Sequence, residues 1–203
     1  MELDTTEIVN ALKNLESFPE KELKVALMAF GEDQRGHILE QMHKQETPSG
    51  VSYTALNPIS LASRRSGSRK RLLDSGLLAN SIVVNPVNDL SVTIQAGGRK
   101  IKYANLQQHG GDIVPKKAKN LAIPLSKFSR NRKPRSFGDS LFFYKSKKTG
   151  NKFLARIKYK KMTLEYLLKE KVTIPATPFM GFSKDSGKRL AALILSSFKN
   201  INK

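Results

Sequence analysis

His109, followed by Gly110-Gly111-Asp112, comes nearest of all residues in this chain to a reactive setting. A histidine beside a glycine turn can serve as a general base or a metal ligand. Catalysis, however, needs an adjoining nucleophile or carboxylate to orient the ring, and zinc needs two or three further His, Asp or Glu ligands. Only Asp112 lies close by, so the expected role of His109 is hydrogen bonding at a helix end. His37 and His43 are six residues apart and fall on different faces of a helix, which argues against a shared metal. There is no cysteine, hence no thiolate ligation and no disulfide framework, which suits a reducing compartment. Beyond residue 46 the acids are Asp74, Asp89, Asp112, Asp139, Glu165, Glu170 and Asp185, too scattered for the carboxylate cluster of a metal-dependent nuclease. Phosphate-binding Gly-Lys-Ser/Thr loops, His-Glu-x-x-His and Gly-x-Ser-x-Gly are all missing. The expectation is a protein that is not an enzyme, with no catalytic residue, no metal and no cofactor.

Cations are the other chemistry on offer. The chain of 203 residues has a formal net charge of +19, and that charge is unevenly spread. Residues 1–46 carry 5 Lys/Arg against 10 Asp/Glu, a net of −5, whereas residues 47–203 carry 31 against 7, a net of +24. Such opposition favours head-to-tail contact between copies, because complementary potentials steer and register association. The densest stretch, 115–161, has 16 Lys/Arg against the single acid Asp139. Within it Arg130, Arg132, Lys133 and Arg135 fall in a stretch, 126–136, expected to be a mobile loop, and Lys147 and Lys148 fall in a turn. Three readings stay open for these six residues: a solvated lysine coat, a contact for an acidic partner surface, or a contact to the DNA backbone. Partner contact is the favoured one. Were six to ten such side chains to meet phosphates, affinity would fall roughly 10³ to 10⁵-fold between 50 and 200 mM salt.

The elements that must carry these residues follow from periodicity. A first helix over about 5–17 is expected after the capping run Asp4-Thr5-Thr6-Glu7. A second opens near Pro19 with an apolar stripe at Leu23, Ala26, Leu27, Phe30, Ile38, Leu39 and Met42, softened by Gly31 and Gly36. Together they make an acidic helical arm, 1–46. Residues 47–71 read as a linker containing a short helix opened by Asn57-Pro58 and a flexible basic loop from Arg64 to Arg71. The body, 72–203, starts with a helix carrying Leu77 and Leu78, capped by Asp74 or Ser75. Ile82-Val83-Val84 and Ser91–Ala96 then form a hairpin across a turn at 85–90, and a helix over 102–108 docks Tyr103 and Leu106 inward. Leu121–Leu125 reads as a strand, and 141–144 with 153–157 as a basic hairpin inserted within 115–161. Residues 162–174 suit helix or strand, with Val172-Thr173-Ile174 favouring a strand over about 165–174. A final helix presents Leu190, Leu193, Ile194 and Phe198 and is expected to lie across the sheet. The class is α+β: a small, mainly antiparallel sheet packed by a C-terminal helix, with an N-terminal two-helix arm and an inserted basic β-hairpin. No run of about 18 apolar residues is present, so no membrane contact is expected, and the acidic start lacks a signal-peptide layout.

Three segments in fixed order remain: Arg71–Ile82, containing Gly76, Leu77 and Ser81; Tyr103–Gly111, containing His109, Gly110 and Gly111; and Ile174–Ser183, containing Pro175, Pro178 and Phe179. Their wording resembles the virion morphogenesis or tail completion proteins of tailed bacteriophages, the family that includes the Mu-type and P2-type tail completion proteins. The resemblance runs in order over roughly residues 53–199. It departs at Thr177, where arginine is usual, which takes an arginine away from the expected contacts of that corner.

What the resemblance implies is a structural virion protein at the neck. It would be assembled in the bacterial host cytoplasm, and would complete the proximal end of the tail and help head-tail joining as a homo-oligomeric ring. Sixfold symmetry is the expectation carried over from tail tubes, since no residue encodes a count. The implied partners are further copies of the chain, the tail tube or tail terminator, the head-tail connector, and DNA passing through the channel. The alternative is a basic nucleic-acid-binding protein that contacts DNA through the 115–161 hairpin.

Overall fold

The structure is a computed structural model and describes residues 20–201 except Arg65, Asp89 and Lys100. The expected helix over 5–17 and the side chain of Phe198 lie outside the described residues. The chain is α+β, with small antiparallel sheets, an N-terminal helix and a C-terminal helix. It divides into two compact units, each discontinuous in sequence: Met1–Tyr53, Leu77–Ala104 and Pro178–Lys203 in the first, Thr54–Gly76 and Asn105–Thr177 in the second.

The first unit is built on α1 (Glu20–Lys44). Acids in its first turn and His43 with Lys44 in its last complement the helix dipole. Glu20–Lys24 and Glu40–Lys44 pair one turn apart. Its buried residues are Ala26, Phe30, Gly31, Gln34, Ile38 and Met42, so the predicted stripe is real but runs through a polar residue. Gly31 and Gly36 do not interrupt it. A Cβ on Gly31 would stand 2.7 Å from Val84 Cγ1 and 2.7 Å from Val92 Cγ2, so glycine here lets the helix approach the hairpin of β1 (Val83–Asn88) and β2 (Ser91–Gln95). β1 runs further than expected, with a register shift between Asn85 and Asn88.

The short α3 (Leu77–Asn80) precedes this hairpin, and α6 (Ser186–Ile201) closes the unit. The C-terminal helix takes α1 as its main partner, and α1 is what lies on the hairpin. The α1–α6 contact is registered by polar groups. Gln34, only 1% exposed, donates from Nε2 to the Gly181 carbonyl (2.8 Å), while its Oε1 accepts from Ser186 Oγ (3.1 Å) and Arg189 Nη2 (2.6 Å). Arg189 Nε lies 2.9 Å from Asp33 Oδ2, an ion pair without hydrogen-bond alignment. A buried amide satisfied at both ends costs little to bury and fixes one register.

The second unit contains α2 (Pro58–Ser63), whose Asn57 cap accepts from Ile59 N and Ser60 N. Most of α4 (Ala104–His109) follows, then β3 (Gly111–Ile113), β4 (Leu121–Pro124), α5 (Lys127–Arg130), a 3₁₀ segment (Pro134–Ser140), β5 (Phe142–Lys145), β6 (Lys152–Lys158), β7 (Lys161–Lys169) and β8 (Val172–Ile174). The strand expected over 165–174 is two strands serving two sheets. β7 sits in a four-stranded antiparallel sheet of order β4-β7-β6-β5, and β8 pairs with β3.

Two stretches expected to be flexible are held in place. Arg64 is 9% exposed and donates from Nη1 to the carbonyls of Ser68 and Lys70, folding the 64–70 loop around its own guanidinium. Residues 126–140 begin with a capping box of two serines: Ser129 N donates to Ser126 Oγ and Ser126 N to Ser129 Oγ, both at 3.1 Å. The buried Tyr166 hydroxyl reaches the carbonyls of Ser129 (3.0 Å) and Arg132 (2.7 Å), and Phe128, Phe137 and Tyr166 meet edge to face. The stretch is therefore a lid over one face of the sheet, not a mobile loop.

Candidate interaction surface

The three signalled segments meet in the second unit around Thr177, which is 3% exposed. Thr177 N donates to the Gln107 carbonyl (2.7 Å), and Arg71 Nη1 donates to Thr177 Oγ1 (3.3 Å) while its other nitrogens bond the carbonyls of Thr54 and Ala55. The corner that carries threonine instead of arginine thus receives a guanidinium from Arg71. Gly110 has φ +70°, and a Cβ there would lie 2.7 Å from Ala176 N and 2.9 Å from the Ile174 carbonyl. Both the backbone angle and the space penalise any residue with a Cβ.

Other motif residues take structural posts in the first unit. Ser81 Oγ donates to the Leu78 carbonyl (2.6 Å) and accepts from Gly97 N (3.0 Å), tying the end of α3 to the end of the hairpin. Leu78, Ile82 and Phe179 are buried, and the Tyr53 hydroxyl donates to the Pro178 carbonyl (3.1 Å). Burial pushes the Tyr53 hydroxyl up to about 12. Leu77 is exposed, and Tyr103, expected to dock inward, is 40% exposed. Ile101 and Ala104 fill the interior instead, because the helix begins at Ala104 and turns Tyr103 away.

His109 is exposed at the end of α4, and Asp112 does not serve it. Asp112 accepts from Thr173 Oγ1 (2.6 Å), its cross-strand neighbour, and from Lys171 Nζ (3.0 Å), and these bonds hold its carboxyl below the ordinary value. Among the described residues no group of three or more His, Cys, Asp or Glu could hold a metal ion. Also among them, no helix is long and apolar enough to cross a membrane.

The six predicted contact cations differ in freedom. Arg130 Nη2 pairs with Asp74 Oδ2 (3.2 Å), and Arg132 stacks on the Phe128 ring at 4.4 Å. Lys133 and Arg135 are exposed on the lid, while Lys147 and Lys148 are exposed in the β5–β6 turn, whose Gly150 has φ +68°. Asp74 does not cap α3 as expected. Burial alone would raise its pKa, but hydrogen bonds from Ser66 N (3.1 Å) and Ser66 Oγ (3.0 Å), with the charges of Arg130 and Arg64, outweigh that and hold it below the ordinary value.

One exposed feature escaped the sequence reading. The turn joining β6 to β7 is Tyr159-Lys160, with φ +50° and +60°, and Tyr159 is 90% exposed. Its signal was a two-residue gap between alternating runs, hidden because neither residue is the Gly or Asn that such turns favour.

By sequence, the second unit holds 23 Lys/Arg against 5 Asp/Glu, a net of +18, and the first holds 13 against 12, a net of +1. Set beside models of protein families, curated proteins and solved structures, the chain matches none of them.

Proposed function

We propose that this chain is a non-enzymatic component of a tailed-phage virion, one that completes the proximal end of the tail and joins tail to head as a homo-oligomeric ring at the neck. The observation that carries the reading is the segregation of charge. A unit of net +18 shares a chain with residues 1–46 of net −5, so each copy offers both signs to its neighbours. Head-to-tail contacts of this kind close into a ring when the rotation between copies allows it. The ordered segments that meet at Thr177, through Arg71, Gln107 and the close approach of Gly110 to residues 174–176, add support as a fixed corner. In this reading Lys133, Arg135, Lys147 and Lys148 face the tail terminator or the head connector, and assembly takes place in the host cytoplasm.

The test is electron microscopy and light scattering of the purified chain across salt concentrations, with gold-labelled antibody on virions. Rings that loosen as salt rises, and label at the neck, are expected. A monomer at every ionic strength, or particles without label, would overturn the proposal. Replacing Lys133, Arg135, Lys147 and Lys148 by alanine should leave tails polymerising and lower their joining to heads. Deleting the whole 127–136 stretch would be a poor probe, because it would uncover Tyr166.

A further inference from the structure

β5 pairs with β6 only from Phe142/Ala155 to Lys145/Lys152, and β4 pairs with β7 only from Leu121/Lys169 to Pro124/Tyr166. β6 and β7 continue past both, through Arg156/Thr163, Ile157/Met162 and Lys158/Lys161, to the Tyr159-Lys160 turn. Residues 156–163 are therefore a two-stranded ribbon that projects beyond the four-stranded sheet. Its base is fixed. Arg156 Nε (3.0 Å) and Nη2 (2.6 Å) both donate to Oε1 of Glu165, which is 1% exposed, and the same guanidinium lies 4.9 Å from the Phe128 ring and 5.7 Å from that of Phe137. Its end is open: Ile157 is 65%, Met162 46% and Tyr159 90% exposed, with Lys158 Nζ 5.1 Å from the Tyr159 ring centroid.

Two non-glycine residues stand at positive φ in this one turn, a backbone region that strains any residue with a Cβ. The fold holds a tyrosine and a lysine where Asn-Gly would be easier. We infer that this ribbon is a contact for double-stranded nucleic acid, with Lys158, Lys160 and Lys161 on the phosphates and Tyr159 at the leading edge. A two-stranded ribbon fits the major groove. Charge complementarity selects the occupant. Residues 156–163 contain no acid, and the unit around them has a net charge of +18, a single-signed field suited to a linear polyanion. The ribbon's cations also favour nucleic acid over protein. Its one arginine is engaged by Glu165, so the cations at its end are lysines, which protein interfaces deplete. The inference does not depend on the ring.

The test uses the full chain and fluorescence anisotropy of a 30-base-pair DNA duplex at several salt concentrations. The partners are a variant with Lys158, Lys160 and Lys161 all changed to alanine, Tyr159→Ala, and a control with Lys116, Lys117 and Lys119 changed to alanine, an equal loss of charge elsewhere in the unit. All these side chains are exposed, and circular dichroism checks that folding is kept. Losing the ribbon lysines should flatten the slope of log affinity against log salt by about 2–3, near 0.9 per phosphate contact, and the control should change it by less than 1. Tyr159→Ala should weaken binding without changing the slope. Equal slopes for the two triple variants would overturn the assignment. So would tighter binding of single-stranded DNA than duplex, equal binding of polyglutamate, or no duplex binding at 50 mM salt.

Discussion

The two units of this chain solve the problem of holding a fold together in opposite ways. In the first, 13 cations nearly balance 12 acids, and its interior is a helix pair registered by Gln34, with α1 pressed onto a hairpin at Gly31. The second carries almost all the net charge and relies on charged or strained joints: Arg64 wrapped by carbonyls, Arg71 at Thr177, Arg156 on Glu165, and Gly110 against the backbone of 174–176. The second unit thus uses Arg64, Arg71 and Arg156 as joints, where a planar guanidinium can satisfy several acceptors at once, while Arg69 and Arg135 stay exposed alongside its lysines.

The comparison breaks most sharply at Arg156. Replacing it with alanine leaves the Glu165 carboxylate buried without its counter-charge, and Glu165 Oε2 already lacks a hydrogen-bond partner. A loss of about 3–5 kcal/mol is expected. Changing Arg156 to methionine and Glu165 to leucine together should recover much of it. Chemical denaturation reads both, and hydrogen exchange should show lost protection in β6 and β7. A double variant no more stable than Arg156→Ala would show that the pair is not the joint.

Gly110→Ala comes next. The left-handed backbone costs a residue with a Cβ about 1–2 kcal/mol, and contact with Ala176 N and the Ile174 carbonyl adds about 1–3 more, because neither atom can rotate away. Denaturation should register a loss of about 2–5 kcal/mol, with β3–β8 amides exchanging first. A loss below 1 kcal/mol would mean that the corner yields.

The first unit offers an internal contrast of smaller size. Gly36 is exposed in mid-helix with nothing within 4 Å of an added Cβ, so Gly36→Ala should stabilise by about 0.5–1 kcal/mol through helix propensity. Gly31→Ala gains the same propensity but drives its Cβ into two valines that are stiff at χ1, so a net loss of about 1 kcal/mol is expected. Opposite signs in thermal denaturation would confirm that α1 is held by close approach to the hairpin. Equal stabilisation would refute it.

How much of this was legible depends on where each signal resides. The α1 stripe and the β5–β6 hairpin could be read because apolar spacing and Gly150 are local, and Asn57-Pro58 announced α2. Gln34 could not, since only Ser186 and Arg189, more than 150 residues away, make a polar residue acceptable in that stripe. The 126–136 part of the lid looked mobile because its capping box uses serine where glutamate or glutamine is usual, and its anchor is Tyr166, in another strand. Thr177 read as a lost arginine because Arg71 lies 106 residues away. Of the candidate surface, the lysine turn at 147–148 was legible from composition, whereas the ribbon end was concealed by a turn that breaks the residue rule for turns.

Asp74 carries the smallest expected effect and the most specific signature. It binds Ser66 and Arg130, so it belongs to the second unit's set of charged joints. Its folded pKa lies below the ordinary value, so the folded state binds its proton less readily than the unfolded chain. The stabilisation is therefore complete above the ordinary aspartate value of about 4 and is lost as pH falls through the lower folded value. Asp74→Asn should be less stable than the native chain at pH 7. The gap should stay constant down to about pH 5 and close below that, because the native carboxyl then becomes neutral as well. Denaturation curves for both chains from pH 7 to pH 3 measure it. A gap that persists to pH 3 would mean that asparagine fails by shape alone, and that at this joint the second unit is held by geometry, as the first is at Gln34.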